Sequence, residues 1–193
     1  MLASRKGTRG GTMRCTWAER SDIERAFHDT EWGVPVHDDR QIFERLALCT
    51  VQAGLALRTV LAKRDSLRAA FHGFDIARIA AMTDDDIAVV LSDRGVVRNR
   101  LKIEAIRSNA RATLRIVAEH GSLSTFLWGF VDPNLTRRRA NADPLPGRSE
   151  ASDRMSDALR AKGFRFAGTA ICHAMMQSTG MVNDHAVECF RYG

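Results

Sequence analysis

Cys15 and His28 stand near one end of the sequence, and His185 and Cys189 near the other. Two thiols and two imidazoles are a complete tetrahedral donor set for zinc. The four-residue step from His185 to Cys189 predicts that this pair shares one helical face. A zinc ion held by all four would pin the N-terminal segment to a C-terminal helix, joining ends that a small helical domain otherwise frays. With four protein ligands the site is closed, hence structural. The same residues also admit a plainer reading, with the cysteines as small apolar groups and the histidines at the surface. Cys172 and His173 form a rival pair, weakened because neighbours on a helix point in different directions.

A second chemical feature lies at residues 93–98, Asp-Arg-Gly-Val-Val-Arg, a link too short for anything but a tight hairpin between two helices. Hairpin amides and the positive end of the following helix can bind a phosphate, and a glycine permits close approach. Here that means Gly95, Val96 and Val97, flanked by Arg94, Arg98, Arg100 and Lys102, which would add salt-sensitive phosphate contacts. An ordinary helix connection with a solvated charged face is the alternative. The net charge of +6, carried mostly by arginine, suits an anionic partner or a compositional habit of the source.

The elements that must position these groups read as helix after helix. A short helix over Ile23 to Thr30 is stopped by Trp32-Gly33-Val34-Pro35. From Asp39 the spacing of Ile42, Phe43, Leu46, Ala47 and Val51 predicts a helix capped by Asp38 or Asp39 and ended near Gly54. Helical period resumes over Leu55 to Lys63, Asp65 to Phe71 and Ile76 to Ala81. Thr83 followed by Asp84, Asp85 and Asp86 is a helix-entry signature, and the helix continues through Ile87, Val90 and Leu91. Beyond the hairpin a long amphipathic helix carries Ile103, Ile106, Ala110 and Leu114. Residues 132–150 hold three of the four prolines and predict an exposed loop. Helices follow over Ser152 to Lys162, closed by Gly163, and over Thr169 to Gly180, with a short one from Asn183.

The chain's 193 residues suit one domain with a real core, and its 45% apolar and 27% charged content excludes wholesale disorder, collagen-like repeats and disulfide scaffolds. No apolar run approaches the ~18 residues of a membrane span. The opening MLASRKGTRGGTMR has no apolar signal core. It reads as a flexible basic tail over residues 1–12, leaving 13–193 as a single helical domain in a cytoplasmic, monomeric protein.

Six separated segments, MRCTWAE, FHDTEWGVP, QAGL, GVVRNRLKI, KGFRFAGTAIC and MVNDH, resemble in order and spacing the bacterial type I 3-methyladenine DNA glycosylases, over roughly Met13 to Cys189. The resemblance implies an all-α helix-hairpin-helix glycosylase bundle, zinc on Cys15, His28, His185 and Cys189, and duplex DNA containing an alkylated purine as partner. It implies excision of 3-methyladenine as the first step of base-excision repair. A base methylated at N3 is cationic and departs neutral, so the protein's work is to flip the nucleotide, stack the base and accept its polar edge.

The family's pocket carries an acidic residue before QAGL, a Trp after it and a Tyr before the first zinc-binding His. Aligned on QAGL, those positions hold Cys49, Leu57 and Phe27, and Thr50 and Val51 stand where Gly and Gln are usual. Trp17, Phe27, Trp32, Cys49, Gln52 and Leu57 are thus the expected base pocket. A thiol is a poor substitute for a carboxylate that can hold a cation. Glu44 lies well round the helix from Cys49, Asp132 is a conceivable replacement, and Cys49 reads as a buried inert thiol before a nucleophile. Three functions follow: a glycosylase for alkylated purines with weakened or altered specificity, a non-catalytic zinc-containing DNA-binding protein derived from one, or an enzyme whose enlarged pocket takes another modified base, such as a bulky adduct.

Overall fold

The computed structural model describes residues 12–131 and 139–193, so the tail and the start of the proline-rich loop, Asp132 included, lie outside the described residues. Within these segments there is no strand. Ten α-helices run in order as α1 Asp22–Thr30, α2 Asp39–Gln52, α3 Leu57–Ala62, α4 Arg64–Ala70, α5 Ile76–Ala81, α6 Asp84–Ser92, α7 Arg100–His120, α8 Leu123–Trp128, α9 Glu150–Ala161 and α10 Thr169–Ser178. No helix among the described residues is long and apolar enough to cross a membrane.

Side-chain caps explain most of the starts. The Ser21, Asp38 and Asn99 side chains accept the amides of Glu24, Gln41 and Lys102, and Thr83 with Asp86 forms a reciprocal capping box. Asp38 therefore caps α2. Asp39 turns its carboxylate to the amides of Leu123 and Ser124 and caps α8 instead, which ties two distant elements together.

Several boundaries differ from the sequence reading. α3 begins at Leu57, because Gly54 at φ +76 and the extended Ala56 delay the turn. α9 begins at Glu150, because Ser149 and Ser152 make a second capping box. The short helix expected from Asn183 is not formed: 183–193 is a run of turns, closed by amides such as Cys189 N–H donating to Ala186 O. Nor is the proline-rich loop wholly exposed. Arg139 is buried, donating to the carbonyls of Asp184, Ala140 and Asp143.

α2 lies at the centre and is buried on every side from Ile42 to Val51, the pattern of a core helix. α7 and α10 pack against it, and α5, α6 and α8 pack on α7. A separate, smaller cluster joins Cys15, Trp17, Phe27, Trp32, Leu61, Ala186 and Cys189, so the chain ends have a core of their own. Lys102, expected at a phosphate, is turned inward. It is 7% exposed, and its ammonium donates to the carbonyls of Val51 and Ala53 at the end of α2. The α2 carbonyls have no further helical donors, so a cation is the natural partner for them.

Gly180 has φ +70, and a Cβ there would sit 2.5 Å from the Pro35 nitrogen and 2.6 Å from the Val34 carbonyl carbon. Neither backbone group can swing away. Gly180→Ala is therefore expected to lower stability by about 3 kcal/mol. A shift in the urea midpoint with unchanged slope would show it; an unchanged midpoint would refute the packing described.

Candidate functional site

The chain's two ends meet as their residue types predict. Cys15, His28, His185 and Cys189 are all buried, and their ligand atoms lie within 4.8 Å of one another. Cys15 Sγ is 3.7 Å from His185 Nδ1, and Cys189 Sγ is 3.4 Å from His28 Nε2 and 3.6 Å from His185 Nδ1. Bonds of about 2.3 Å to sulfur and about 2.0–2.1 Å to nitrogen at tetrahedral angles give S···N edges of about 3.6 Å. The donor set fits zinc in both chemistry and spacing. Cys172 does not join it, since its thiol faces Ala167 O, and His173 pairs instead with Asp184 and Ser149.

The surroundings orient the ligands. His28 Nδ1–H donates to Asp29 at 2.8 Å, and His185 Nε2–H donates to Trp32 O at 3.2 Å, leaving one nitrogen of each ring for the centre. The Ala186 amide and the Arg139 guanidinium donate to Cys15 Sγ, and the Arg191 amide donates to Cys189 Sγ. Without a cation, burial pushes the Cys15 thiol up to about 11 and His185 down to about 4. Gly33, at φ +77, is needed here because a Cβ would stand 2.6 Å from His185 Nε2. His185 and Cys189 meet through turns and not along a helical face, so the step of four reached the right pairing for a different reason.

Immediately beside this cluster is a cavity of about 130 Å³, and all six expected pocket residues, Trp17, Phe27, Trp32, Cys49, Gln52 and Leu57, line it. Its aromatic wall is continuous with the cluster. Trp17 follows Cys15 by two residues, Phe27 precedes His28, and the Trp32 carbonyl accepts the His185 Nε2–H. Trp17 and Trp32 pack edge to face with centroids 5.1 Å apart. The volume is on the scale of the ~150 Å³ cavities that accept a benzene ring, so a flat ring system is a fitting guest.

Leu48, Val60, Leu61, Leu145, Ala174, Gln177 and Ser178 also line the cavity, as does Arg45, which sequence reasoning missed. Arg45 lies four residues before Cys49 on α2, a spacing that puts both on one face and could have revealed it. It is 6% exposed, its guanidinium sits 5.2 Å from the Phe27 ring centre, and Nη2 donates to Glu31 at 2.5 Å. A ladder continues outward. Arg64 bridges Glu31 to Glu44, and Arg68 closes on Glu44. Glu44 is thus spent on arginines and does not line the cavity. Among the described residues no Asp or Glu does; Glu24 lines only the groove outside, where Ser21 Oγ donates to it. Burial pushes the Cys49 thiol up to about 12, which leaves it a neutral thiol at pH 7.

Of the hairpin residues, Arg94, Arg98 and Arg100 are exposed, while the Val96 side chain is buried. The Gly95 amide donates to Asp93 Oδ1 at 2.6 Å and the Val96 amide to Asp93 O at 3.4 Å, so the hairpin amides are already partly engaged. Lys63 fixes the turn from outside by donating to the carbonyls of Arg94 and Gly95.

Comparison with known proteins places the chain. The methyladenine glycosylase family pattern matches residues 17–192. The protein belongs to that family. It is similar to DNA-3-methyladenine glycosylase 1 of Escherichia coli, 42% identical over 181 residues covering 93% of this chain and 96% of that one. It is also similar to the DNA-3-methyladenine glycosylase of Haemophilus influenzae, 41% identical over 92% of this chain and 97% of the other. Among solved structures, a 3-methyladenine DNA glycosylase I superposes with TM-score 0.89 at 44% identity, covering 94% of this chain and all of that one. The Staphylococcus aureus 3-methyladenine DNA glycosylase I superposes with TM-score 0.88 at 28% identity, over 95% and 98%.

The ion ladder yields a pH test. Burial acts to raise the Glu31 carboxyl, but the Arg64 and Arg45 hydrogen bonds and charges outweigh it and hold it at about 2, below its ordinary 4.5. Its stabilisation is present above pH 4.5 and is lost as pH falls towards 2. Glu31→Gln is expected to cost about 1–3 kcal/mol at pH 7, after allowance for partial exposure, with the gap from wild type closing between pH 4.5 and 2. A gap independent of pH in denaturant titrations would overturn the assignment.

Proposed function

We propose that the protein is a DNA glycosylase that hydrolyses the N-glycosidic bond of an alkylated purine flipped out of duplex DNA, with altered specificity relative to its 3-methyladenine-excising relatives. The observation that carries this reading is the aromatic cavity built directly on the Cys/His cluster, in a chain of the methyladenine glycosylase family. We also assign zinc to Cys15, His28, His185 and Cys189. When bound it supplies structural closure: it holds the chain ends together and with them Trp17, Phe27 and Trp32.

The chain's own residues do the rest. Arg94, Arg98 and Arg100, with the hairpin at 93–99 between α6 and α7, would grip the phosphates of the duplex as a helix-hairpin-helix element. The flipped base enters between the aromatic walls, which replace its lost stacking and exclude water from its faces. Methylation at a ring nitrogen makes the base a good leaving group, so the glycosidic bond breaks with little acid assistance, and water adds to the sugar. The protein would do this as a monomer in the cytoplasm.

A second reading, a non-catalytic DNA-binding descendant, is favoured by one observation: among the described residues no carboxylate lines the cavity, and Cys49 stands as a neutral thiol. Chromatography of bases released from methylated duplex DNA separates the two. The glycosylase reading expects release above spontaneous loss from the natural protein, and about tenfold faster 3-methyladenine release from a Cys49→Glu, Leu57→Trp double variant. No release at stoichiometric excess, with salt-dependent duplex binding intact, selects the non-catalytic reading. Arg98→Glu is expected to weaken binding to all duplexes and to lower the salt slope by about 1, and unchanged affinity would remove the hairpin from the interface.

Metal analysis is expected to find one zinc per chain. Cys189→Ser is expected to lose it and to lower the Tm by about 10 °C. A fully stable metal-free protein would refute the assignment.

A further inference from the structure

Only part of a nucleotide fits in the cavity. Its volume of about 130 Å³ suits a base, which puts the glycosidic bond at the mouth and the sugar with its phosphates outside. Trp17, Gln52, Leu57 and Leu145 line both the cavity and an outer groove of about 430 Å³, so the two spaces are continuous. The groove adds Arg20, Arg58 and Glu24. A smaller depression on the other flank, lined by Gly54, Ala170 and Ile171, has no charged side chain among the described residues. Arg20 and Arg58 are exposed and suit phosphates. Glu24 is different, at 5% exposed. It shares the buried face of α1 with Phe27 and His28. Phe27 lines the cavity three positions on, so two side chains of one face, with Cβ atoms about 5–6 Å apart, line the inner wall and the groove. Glu44 on α2 is held by two arginines, but Glu24 is held by a hydroxyl. Ser21 Oγ donates to Oε2 at 2.7 Å, and among the described residues no hydrogen bond reaches Oε1. For a nearly buried carboxylate without an ion pair, a positive charge is the missing partner.

We propose that the groove is the sugar and phosphate subsite of the flipped nucleotide, with the Glu24 carboxylate facing the positive charge that forms on the sugar. This rests on the reading that the cavity receives a flipped alkylated base. The movement of charge favours a carboxylate at that place. A purine methylated on a ring nitrogen is cationic before its bond breaks. As the C1′–N bond breaks, the electron pair neutralises the base, and the positive charge passes to C1′ and the ring oxygen of the sugar. A carboxylate against the base would stabilise the starting cation, whereas one at the mouth stabilises the charge where it arrives. The water oxygen then bonds to C1′, its proton passes to Glu24 and on to solvent, and free base and an abasic sugar remain.

Duplexes carrying two abasic-site analogues test this: a tetrahydrofuran, which is neutral, and a pyrrolidine, which is protonated and carries the positive charge of the sugar. The natural protein is expected to bind the pyrrolidine duplex about tenfold or more tightly than the tetrahydrofuran duplex, the scale of one hydrogen bond to a charged group. Glu24→Gln, whose amide oxygen can still accept from Ser21 Oγ, should shrink that preference to about twofold or less and leave tetrahydrofuran binding unchanged. The apolar Glu24→Met should behave alike, so a folding failure of one leaves the other to decide. Arg20→Ala combined with Arg58→Ala should weaken both duplexes equally. Equal binding of the two analogues by the natural protein, a preference that survives in the folded Glu24 variants, or full affinity without the two arginines overturns the proposal. Base release from methylated duplex is read separately, at saturating protein. Glu24→Gln should slow it by about a hundredfold, and an unchanged rate also overturns the proposal. No release by the natural protein, with the pyrrolidine preference intact, removes the glycosylase reading and leaves Glu24 at the sugar.

Discussion

The joining of the chain ends at Cys15, His28, His185 and Cys189 is the constraint on which the rest depends. The residues beside these ligands make the pocket: Trp17 after Cys15, Phe27 before His28, and Trp32 through its carbonyl on His185. Elsewhere the helices are held by a conventional apolar core centred on α2, α7 and α10. The terminal segments have only a small cluster of their own, and 183–193 has no helical hydrogen bonding to fall back on. Their order comes from the polar knot, with Asp29, Arg139, Ala186 and Arg191 each satisfying one of its members.

Frame and pocket are constrained to different degrees. The cluster, the glycine contact at Gly33 and the packing of Gly180 on Val34-Pro35 belong to the frame, and each tolerates almost no change in shape. The pocket faces are less constrained, because an empty cavity does not dictate what lines it. Cys49 and Leu57 present small side chains there, and Arg45 carries a charge whose burial is offset by Glu31 and, beyond it, by Arg64, Glu44 and Arg68. Such a ladder lets a cation sit beside an aromatic ring at modest cost, since every member except one nitrogen of Arg45 has a partner within the chain.

Much of this was legible in the residues. Apolar spacing and capping residues located most helices, because those signals are local: Asp38, Thr83 and Asn99 act within one turn of themselves. The Cys/His donor set that the structure brings together was named from residue type with the family resemblance beside it, and the residues that line the cavity from the register of QAGL. What failed was non-local. Lys102 looked like a surface cation by type, yet the open end of α2 lies beside it and takes its ammonium. His185 and Cys189 carried a helical spacing, yet the segment is pinned by turns and by Arg139, which no periodicity registers. Arg45 escaped the sequence reading because its partner Glu31 is fourteen positions away, beyond any local spacing.

The knot also sets an order of events. Cys15 and His185 lie 170 positions apart, so the contact that fixes the pocket wall closes a loop of nearly the whole chain. Loop closure of that span is slow to find and cannot begin on the ribosome until His185 and Cys189 have emerged. The helices that flank the hairpin, by contrast, are complete some seventy residues earlier and depend on neighbours close in sequence. A nascent chain thus acquires its basic hairpin well before its aromatic cavity, and the assembled site is a late product of synthesis, conferred by the last residues to join it.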